Sequence, residues 1–313
     1  ISIYPAPSIS SQMKGQIVVT TRRIAQALKI VGLLNIQFIV DKNKLYVIEV
    51  NPRASRTVPF LSKVTGVPMI ELSTRCMLGE TVNSMEYPTG LYPEREIYAV
   101  KHPVFSMEKI PSADSALGPE MKSTGEVLCM DAKLEHALYK GFVASSGTLR
   151  GLSAKGAKQT QDATASAAGE AVAEAAGSAV VDERVTERIF LSVAEAFKEP
   201  ALPLAGKLVA LGYEIVATSG TAKVIRDAFT DAKVIDAGTE EEALTWLTRE
   251  KISFSVILPT VGKVKEKQGF RMRRRAVENK VICLTAFDTF SAVVLLLEKG
   301  IDDQSVDVHM AYS

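Results

Sequence analysis

The chain has few of the residues on which disulfide frameworks and zinc sites depend. Its 313 residues include three cysteines and three histidines, and both sets are scattered without the short spacings of metal-binding motifs. This excludes a disulfide-stapled secreted domain and predicts a reducing, cytoplasmic location.

Long apolar runs and a strong net charge are also missing. The longest apolar run, near residues 292–297, is far shorter than the roughly 20 residues that a membrane span requires. Lysine and arginine number 37 against 36 acidic residues, a net charge of +1, so no overall field attracts nucleic acid or an anionic membrane surface. The sequence predicts neither partner.

What is present fits a globular protein of about two domains. Hydrophobic residues make up 47% and charged residues 23% of the chain, which is ordinary for folded proteins. From residue 145 the composition shifts to small residues rich in Ala, Ser and Gly, which is typical of a linker. We therefore predict domains at 1–144 and 186–313, joined by a linker at 145–185.

Two predicted strands in the first domain carry alternating polar and apolar residues. They span residues 34–40 and 46–51, with a turn at 41–45. If Val40 faces Tyr46, then Gln37 faces Glu49 and Asn35 faces Asn51, and directly opposed Cβ atoms lie about 5 Å apart. The other face would direct its apolar side chains into a core: Ile36, Phe38, Val40, Tyr46, Ile48 and Val50.

The polar face offers one carboxylate and amide oxygens, which suit Mg²⁺ or Mn²⁺ better than zinc. Arg53 and Arg56 follow the second strand, and guanidinium groups beside a divalent ion are suited to holding phosphoryl oxygens. Alternation is a generic pattern, however, and a surface hairpin whose polar face meets only water remains an alternative.

The run Ile48-Glu49-Val50-Asn51-Pro52-Arg53, with the residues up to Pro68, closely resembles the end of an ATP-grasp domain in the carbamoyl-phosphate synthetase large chain. The resemblance implies that Glu49 and Asn51 bind the metals that bridge ATP phosphates, with Gln37 as a further ligand. It implies that Arg53 and Arg56 hold phosphate or the bound intermediate. It also leads us to expect a C-terminal fragment, with most nucleotide-binding machinery upstream.

The second domain alternates strands with helices, a pattern that predicts a parallel sheet wound on both faces. We predict strands at 189–194, 214–217, 233–236, 254–258 and 281–285. We predict helices at 199–211, 222–229, 240–250 and 289–299. The expected fold is thus an α+β C-terminal part of an ATP-grasp domain followed by an α/β doubly wound domain.

Ligands of such sheets bind beyond the carboxyl ends of the strands. The candidates there include hydroxyls, glycine and lysines: Lys198, Thr218, Ser219, Gly220, Thr221, Thr260 and Lys263. Residues 218–221 open a helix, where free N–H groups and the dipole favour a phosphate. An ordinary capped turn is the alternative.

This half resembles the methylglyoxal-synthase-like regulatory domain of carbamoyl-phosphate synthetase. The resemblance implies that Lys198, Thr218, Thr221 and Thr260 hold the phosphate of an effector such as UMP, UTP or phosphoribosyl pyrophosphate. The basic run 263–275 would attract such a ligand, or would simply be a solvated face. Methylglyoxal synthase activity itself is disfavoured, because it needs a pocket histidine and this half contains only His309.

The leading hypothesis is the C-terminal portion of a carbamoyl-phosphate synthase large subunit that phosphorylates carbamate with ATP under allosteric control. Relatives of that kind draw ammonia from a glutaminase small subunit and form oligomers, and they serve pyrimidine or arginine synthesis. The alternative is an isolated effector-binding module without catalysis.

Overall fold

The computed structural model describes residues 1–110, 114–118, 120–146, 187–249, 251–259 and 268–306. The chain divides into two compact units, residues 1–102 with 128–137, and residues 103–127 with the chain from 138 onward. Apart from its first two positions, the linker predicted at 145–185 lies outside the described residues. In the part that is described, no helix is long and apolar enough to cross a membrane.

The first unit contains helices and two small sheets. The elements that lie wholly or mostly in it are β1 (Ser2–Tyr4), α1 (Ser11–Ala27), β2 (Asn35–Asp41), β3 (Lys44–Asn51), α2 (Thr57–Thr65), α3 (Met69–Met77), β4 (Tyr98–Val104) and β5 (Gly125–Asp131). β4 lies between β1 and β5 in one sheet, and β2 pairs with β3 in a separate hairpin. Helix α1 begins directly after Ser10, whose side chain accepts a hydrogen bond from the Met13 N–H and so caps the first turn.

Helix α2 was not predicted, although it provides the core of this unit. Its Phe60 and Val64 are buried against Ala99 of β4. Pro59 stands in its first turn, where a missing N–H costs no intrahelical hydrogen bond. The helix ends at Gly66, whose φ of 76° places it in the left-handed region that closes many helices.

The second unit is built on a parallel sheet. Its elements are α4 (Leu134–Ser146), β6 (Arg188–Val193), α5 (Glu195–Ala210), β7 (Glu214–Ala217), α6 (Ser219–Ala228), β8 (Val234–Asp236), α7 (Glu240–Arg249), β9 (Ile252–Leu258), α8 (Gln268–Glu278), β10 (Cys283–Leu284) and α9 (Phe287–Glu298). The strand order is β10-β9-β6-β7-β8, and every pair is parallel. Helix α5 contacts α6 and α9, whereas α7 contacts α8. The predicted doubly wound α/β fold is confirmed.

Helix α8 was missed, because its sequence was interpreted as a basic run. Its inner face carries Met272 and Ala276, which are buried in a core with Leu244, Leu247 and Ile257. The spacing of four residues between Met272 and Ala276 is a helical signal. A second signal was topological, because adjacent parallel strands need a crossover connection, usually a helix.

A segment from residues 103–127 packs on the edge of this sheet. The Arg273 side chain in α8 is 5% exposed and donates to both carboxylate oxygens of Asp114. The Thr285 hydroxyl, just after edge strand β10, donates to the Ser115 carbonyl at 3.1 Å. Arg274 donates to the carbonyls of Met107 and Ile110. The described residues 107–110 and 114–118, which we define as the edge segment, are therefore part of the second unit.

Candidate functional site

The polar face of the β2–β3 hairpin has the predicted register at the candidate metal ligands. Gln37 pairs with Glu49 and Asn35 with Asn51. Glu49 and Asn51 are two positions apart on one strand and therefore share a face, and the Asn51 amide donates to Glu49 Oε1 at 2.9 Å. The structure thus brings Gln37, Glu49 and Asn51 together on one face.

Towards the turn, the predicted register is wrong by one residue. Val40 pairs with Leu45 rather than Tyr46, because Lys42 and Asn43 alone make the turn, both at positive φ. A bulge between Gln37 and Phe38 absorbs the extra residue on β3, as bulges do. The shift moves Tyr46 to the face that carries Gln37.

The prediction that the opposite face enters a core is met only in part. Ile36, Phe38 and Val50 are half-buried, whereas Val40 and Ile48 are 37% and 54% exposed. Ile48 is the bulged residue, so alternation along β3 breaks there. Strand periodicity predicted a two-faced hairpin but carried no information about what packs on its apolar side.

Arg53 and Arg56 lie in the connection between β3 and α2, and both are exposed. The Arg53 guanidinium donates to the carbonyl of Ala54 at 3.0 Å. Arg56 directly precedes α2 and has no side-chain cap bond to it. Both arginines lie in the short segment after β3, so they follow Glu49 within a few residues of the sequence.

The donor set of the hairpin fits a hard divalent ion. It consists of one carboxylate oxygen pair and amide oxygens, with no sulfur or imidazole. Mg²⁺ is commonly held by one or two carboxylates together with substrate phosphates, so a single Glu49 carboxylate suffices only if phosphate oxygens complete the site. Clusters of three or more His, Cys, Asp or Glu residues suited to a metal do not occur among the described residues.

In the second unit, the strand order reverses around β6. Strands β7 and β9 flank it on either side, and their connections leave in opposite directions, which opens a crevice at the carboxyl ends. The Ala194 N–H after β6 bonds to the Leu258 carbonyl at the end of β9. Lys198 and the start of α6 both follow strands at this edge.

Lys198 lies in the first turn of α5, not in a loop before it as predicted. The helix begins at Glu195 and includes Pro200, whereas the predicted helix began at residue 199. Lys198 Nζ contacts Glu195 Oε2 at 2.5 Å. A Cβ atom added to Gly220 would lie 3.3 Å from Lys198 Nζ, so the ammonium group reaches across to the first turn of α6.

Hydroxyl groups form a cluster beneath this ammonium group. Thr218, the N-cap of α6, makes no side-chain cap bond, and its Oγ lies 3.2 Å from Thr221 Oγ and 3.5 Å from Ser192 Oγ. Thr221 is 4% exposed and accepts the Val193 N–H. Its role here is to join α6 to β6, while Thr218 stays half-buried at the surface.

The Ser219 side chain is committed to β8 rather than to the crevice. Its hydroxyl donates to Asp236 Oδ1 at 2.8 Å, which also accepts the Gly238 N–H. The hydrogen bonds from Gly238 and Ser219 hold the pKa of Asp236 below its ordinary value. What Ser219 and Gly220 still offer to a ligand is their backbone N–H groups, which have no intrahelical acceptor at a helix start.

Two predicted binding residues, Thr260 and Lys263, lie outside the described residues. Each described arginine of the basic run forms an ion pair or a hydrogen bond with another side chain of this protein. Arg271 pairs with Glu240 and Glu241, Arg273 with Asp114, Arg274 with Glu278, and Arg275 donates to Thr248. They support the packing of α8 instead of forming an open patch of cations.

Sequence reasoning missed Ser192 and Glu195 at this site. Ser192 interrupts an apolar strand at its carboxyl end, which is a usable signal. Glu195 precedes Lys198 by three residues, a helical spacing that went unnoticed because the helix was predicted to start later.

Comparison with known families gives one match in each half of the chain. Residues 1–85 match the model of the carbamoyl-phosphate synthase L chain, ATP binding domain, and residues 200–285 match the MGS-like domain. The chain matches the C-terminal part of a carbamoyl-phosphate synthase large chain. Its fold is accordingly an ATP-grasp part followed by an MGS-like domain with a five-stranded parallel sheet.

A solved structure described as the crystal structure of ForH is also similar to part of this chain. It is 22% identical, covers 37% of this chain and 82% of its own, and superposes with a TM-score of 0.30. At that TM-score the likeness decides nothing about fold or function.

Proposed function

We propose that residues 1–144 contribute the C-terminal part of an ATP-grasp site that phosphorylates carbamate to carbamoyl phosphate. Residues 186–313 would form its allosteric domain, with 145–185 as the connection. The observation that supports this most is the polar hairpin face, where Gln37, Glu49 and Asn51 come together within the segment that matches an ATP-binding domain.

In this proposal Glu49, Asn51 and Gln37 would hold Mg²⁺ or Mn²⁺ at the ATP phosphates. The ion would supply positive charge that neutralises the phosphate oxygens. Arg53 and Arg56 would hold the anionic oxygens of carbamate and of the product, because planar guanidinium groups bind such oxygens in pairs. The Asn51 amide, which now donates to Glu49, would turn its oxygen toward the ion.

The test is Glu49→Gln in the enzyme that contains this chain. ATP-dependent formation of carbamoyl phosphate from carbamate should fall on the order of 100-fold or more. Glu71→Gln is the matched control, because this exposed carboxylate on α3 has the same charge and lies outside the proposed site. Near-normal turnover of the Glu49 variant would refute the metal assignment.

For the second domain we propose a phosphorylated effector bound at the crevice beside β6. Lys198, the hydroxyl of Thr218 and the N–H groups of Ser219 and Gly220 would hold its phosphate, with Thr221 positioning them. Thr260 and Lys263 would complete the site. UMP, UTP and phosphoribosyl pyrophosphate are the effectors to test.

Calorimetric titration of the whole chain with these three compounds tests the regulatory role. Lys198→Met should abolish binding, whereas Lys207→Met should not, because Lys207 lies on the same helix and pairs with Glu298. If the native chain binds none of the three compounds, this part of the proposal fails.

A second candidate function is an effector-binding module without catalysis. It is favoured by the openness of the hairpin, where Gln37 and Glu49 are exposed and Tyr46 and Ile48 are about half exposed. Effector binding without any ATP-dependent phosphorylation of carbamate would support it. A glutaminase small subunit, an oligomeric assembly and a cytoplasmic location belong to the first proposal and would not be needed by the second.

A further inference from the structure

The Lys198 ammonium group in the crevice is already occupied by an anion from its own helix. Glu195 Oε2 lies 2.5 Å from Lys198 Nζ. The two side chains differ sharply in exposure, with 18% for Lys198 and 86% for Glu195. The lysine is therefore fixed within the site, while its partner approaches from solvent and can leave without disturbing the fold.

The carboxylate of Glu195 also lies where two helices present positive ends. Glu195 belongs to the first turn of α5. Its ion-pair partner Lys198 lies next to Gly220 in the first turn of α6. Helix N-termini attract anions through their dipoles and free N–H groups. An exposed ion pair contributes little by itself, about 0–1 kcal/mol, so a better anion can replace Glu195 at this position.

We infer that Glu195 is an internal competitor for the phosphate seat, defined as Lys198, Thr218 and the N–H groups of Ser219 and Gly220. The inference rests on the proposed effector site. A ligand that offers only a carboxylate would replace the Glu195 carboxylate at Lys198 by an equivalent group, with no gain in binding free energy. A phosphate dianion brings a second charge and further oxygens, which can also reach the Thr218 hydroxyl and the α6 N–H groups.

Glu195 would therefore set selectivity for phosphoryl over carboxylate ligands. It also holds Lys198 over α6 when no ligand is present, so the site is preorganised without an exposed unpaired cation. Removing the charge of Glu195 should strengthen binding of every anion and should help carboxylates most.

The experiment compares Glu195→Gln with Glu199→Gln in the whole chain. Glu199 lies one turn further along the same helix and is exposed, so both variants change the net charge equally. Calorimetry with UMP and with inorganic phosphate should give a dissociation constant about two- to fivefold lower for Glu195→Gln, and little change for Glu199→Gln. Acetate at constant ionic strength should compete with UMP in the Glu195 variant but not in the native chain.

The outcomes separate this inference from the proposed function. If native chain and Glu195→Gln bind UMP equally, or if the variant binds more weakly, Glu195 is not a competitor and the effector site stands. The same holds if acetate competes equally in both proteins. If neither native chain nor variant binds any phosphate probe, the effector site falls and the inference falls with it. Binding by Glu195→Gln alone would support both.

Discussion

Arg273 and Asp114 are 159 positions apart in the chain and form a two-pronged ion pair, with both N–O distances at 2.8 Å. Arg273 is almost fully buried and the Asp114 side chain is 30% exposed. The pair fastens the edge segment to helix α8. A chain segment that precedes the α/β domain in sequence is thus part of its folded structure.

Asp114→Asn should destabilise the second unit, because it leaves a buried guanidinium without a counter-charge. Loss of one partner of a fully buried pair costs about 3–5 kcal/mol, and since Asp114 is partly exposed we expect about 2 kcal/mol. The measurement is denaturant unfolding followed by the fluorescence of Trp246, the one tryptophan of the sequence, which packs on the core of this unit.

Glu240→Gln is the control for this substitution, because it removes one of the two carboxylate partners of the more exposed Arg271 on the same helix. It should leave the unfolding midpoint nearly unchanged. Equal effects of the two variants would show that burial of Arg273 has no energetic consequence.

The contribution of Asp114 should depend on pH in a defined direction. Burial raises the pKa of this carboxyl, but hydrogen bonds from Arg273 and the Ala116 N–H, with the charges of Arg273 and Lys122, outweigh it and set the pKa below the ordinary 3.8. A lowered folded-state pKa stabilises the fold above the unfolded pKa and loses that effect as pH falls through the folded value. The stability gap between native chain and Asp114→Asn should be constant from pH 7 to 5 and shrink below about pH 4. A gap that widens on acidification would contradict this.

Tyr213→Phe should keep or raise the stability of the second unit. Tyr213 is 6% exposed, and within the described residues its hydroxyl has no hydrogen-bond partner. Burial, together with the nearby charge of Glu187, raises its pKa. Removing an unsatisfied buried hydroxyl should change the unfolding free energy by about 0 to +1 kcal/mol, again measured by Trp246 fluorescence.

Tyr139→Phe is the matched comparison, since the Tyr139 hydroxyl donates to Asp303 Oδ1 at 2.9 Å. This variant should lose about 1–2 kcal/mol, because it breaks a hydrogen bond to a carboxylate. A large loss in Tyr213→Phe would indicate that its hydroxyl has a partner after all.

The turn of the β2–β3 hairpin is strained at Lys42 and Asn43, whose φ angles are 46° and 63°. Two positive φ angles define the turn type for which Asn-Gly is the preferred pair. Lys42→Asn combined with Asn43→Gly should stabilise the hairpin by roughly 1 kcal/mol and slow amide exchange in β2 and β3 about fivefold. Lys29→Gly, which relieves a positive φ after α1, should leave exchange in the hairpin unchanged. Unaltered exchange in the double variant would mean that the turn does not limit hairpin opening.

The parts of the fold that follow from local patterns were predictable. Strand alternation placed Gln37 opposite Glu49 correctly, and the polar ends of strands located Lys198 and Thr218 at one edge of the sheet. The hairpin turn was predicted too long, because Lys42 and Asn43 lack the glycine that usually marks a two-residue turn. The bulge that restored the register at Glu49 leaves no mark in the composition.

The errors in the second unit arise from competition between local signals and tertiary packing. Helix α5 was predicted to start at residue 199, yet it begins at Glu195 and contains Pro200. The charges of residues 271–275 concealed helix α8, whose buried arginine is acceptable only because Asp114 meets it. That partner is distant in sequence, so no local rule could have found the pair.

The contacts of the edge segment with helix α8 and with Thr285 after strand β10 predict how a truncated form of this chain behaves. A polypeptide cut to residues 187–306 would retain every strand of the parallel sheet but lose Asp114 and Ser115. The shortened chain would lose the contacts of this segment with α8 and with Thr285 after β10, which would leave the Arg273 guanidinium without its counter-charge beside an edge strand, the kind of surface on which β-sheets self-associate. We expect such a polypeptide to precipitate or form larger assemblies, and restoring residues 103–127 on the same chain to lower its apparent size in size-exclusion chromatography.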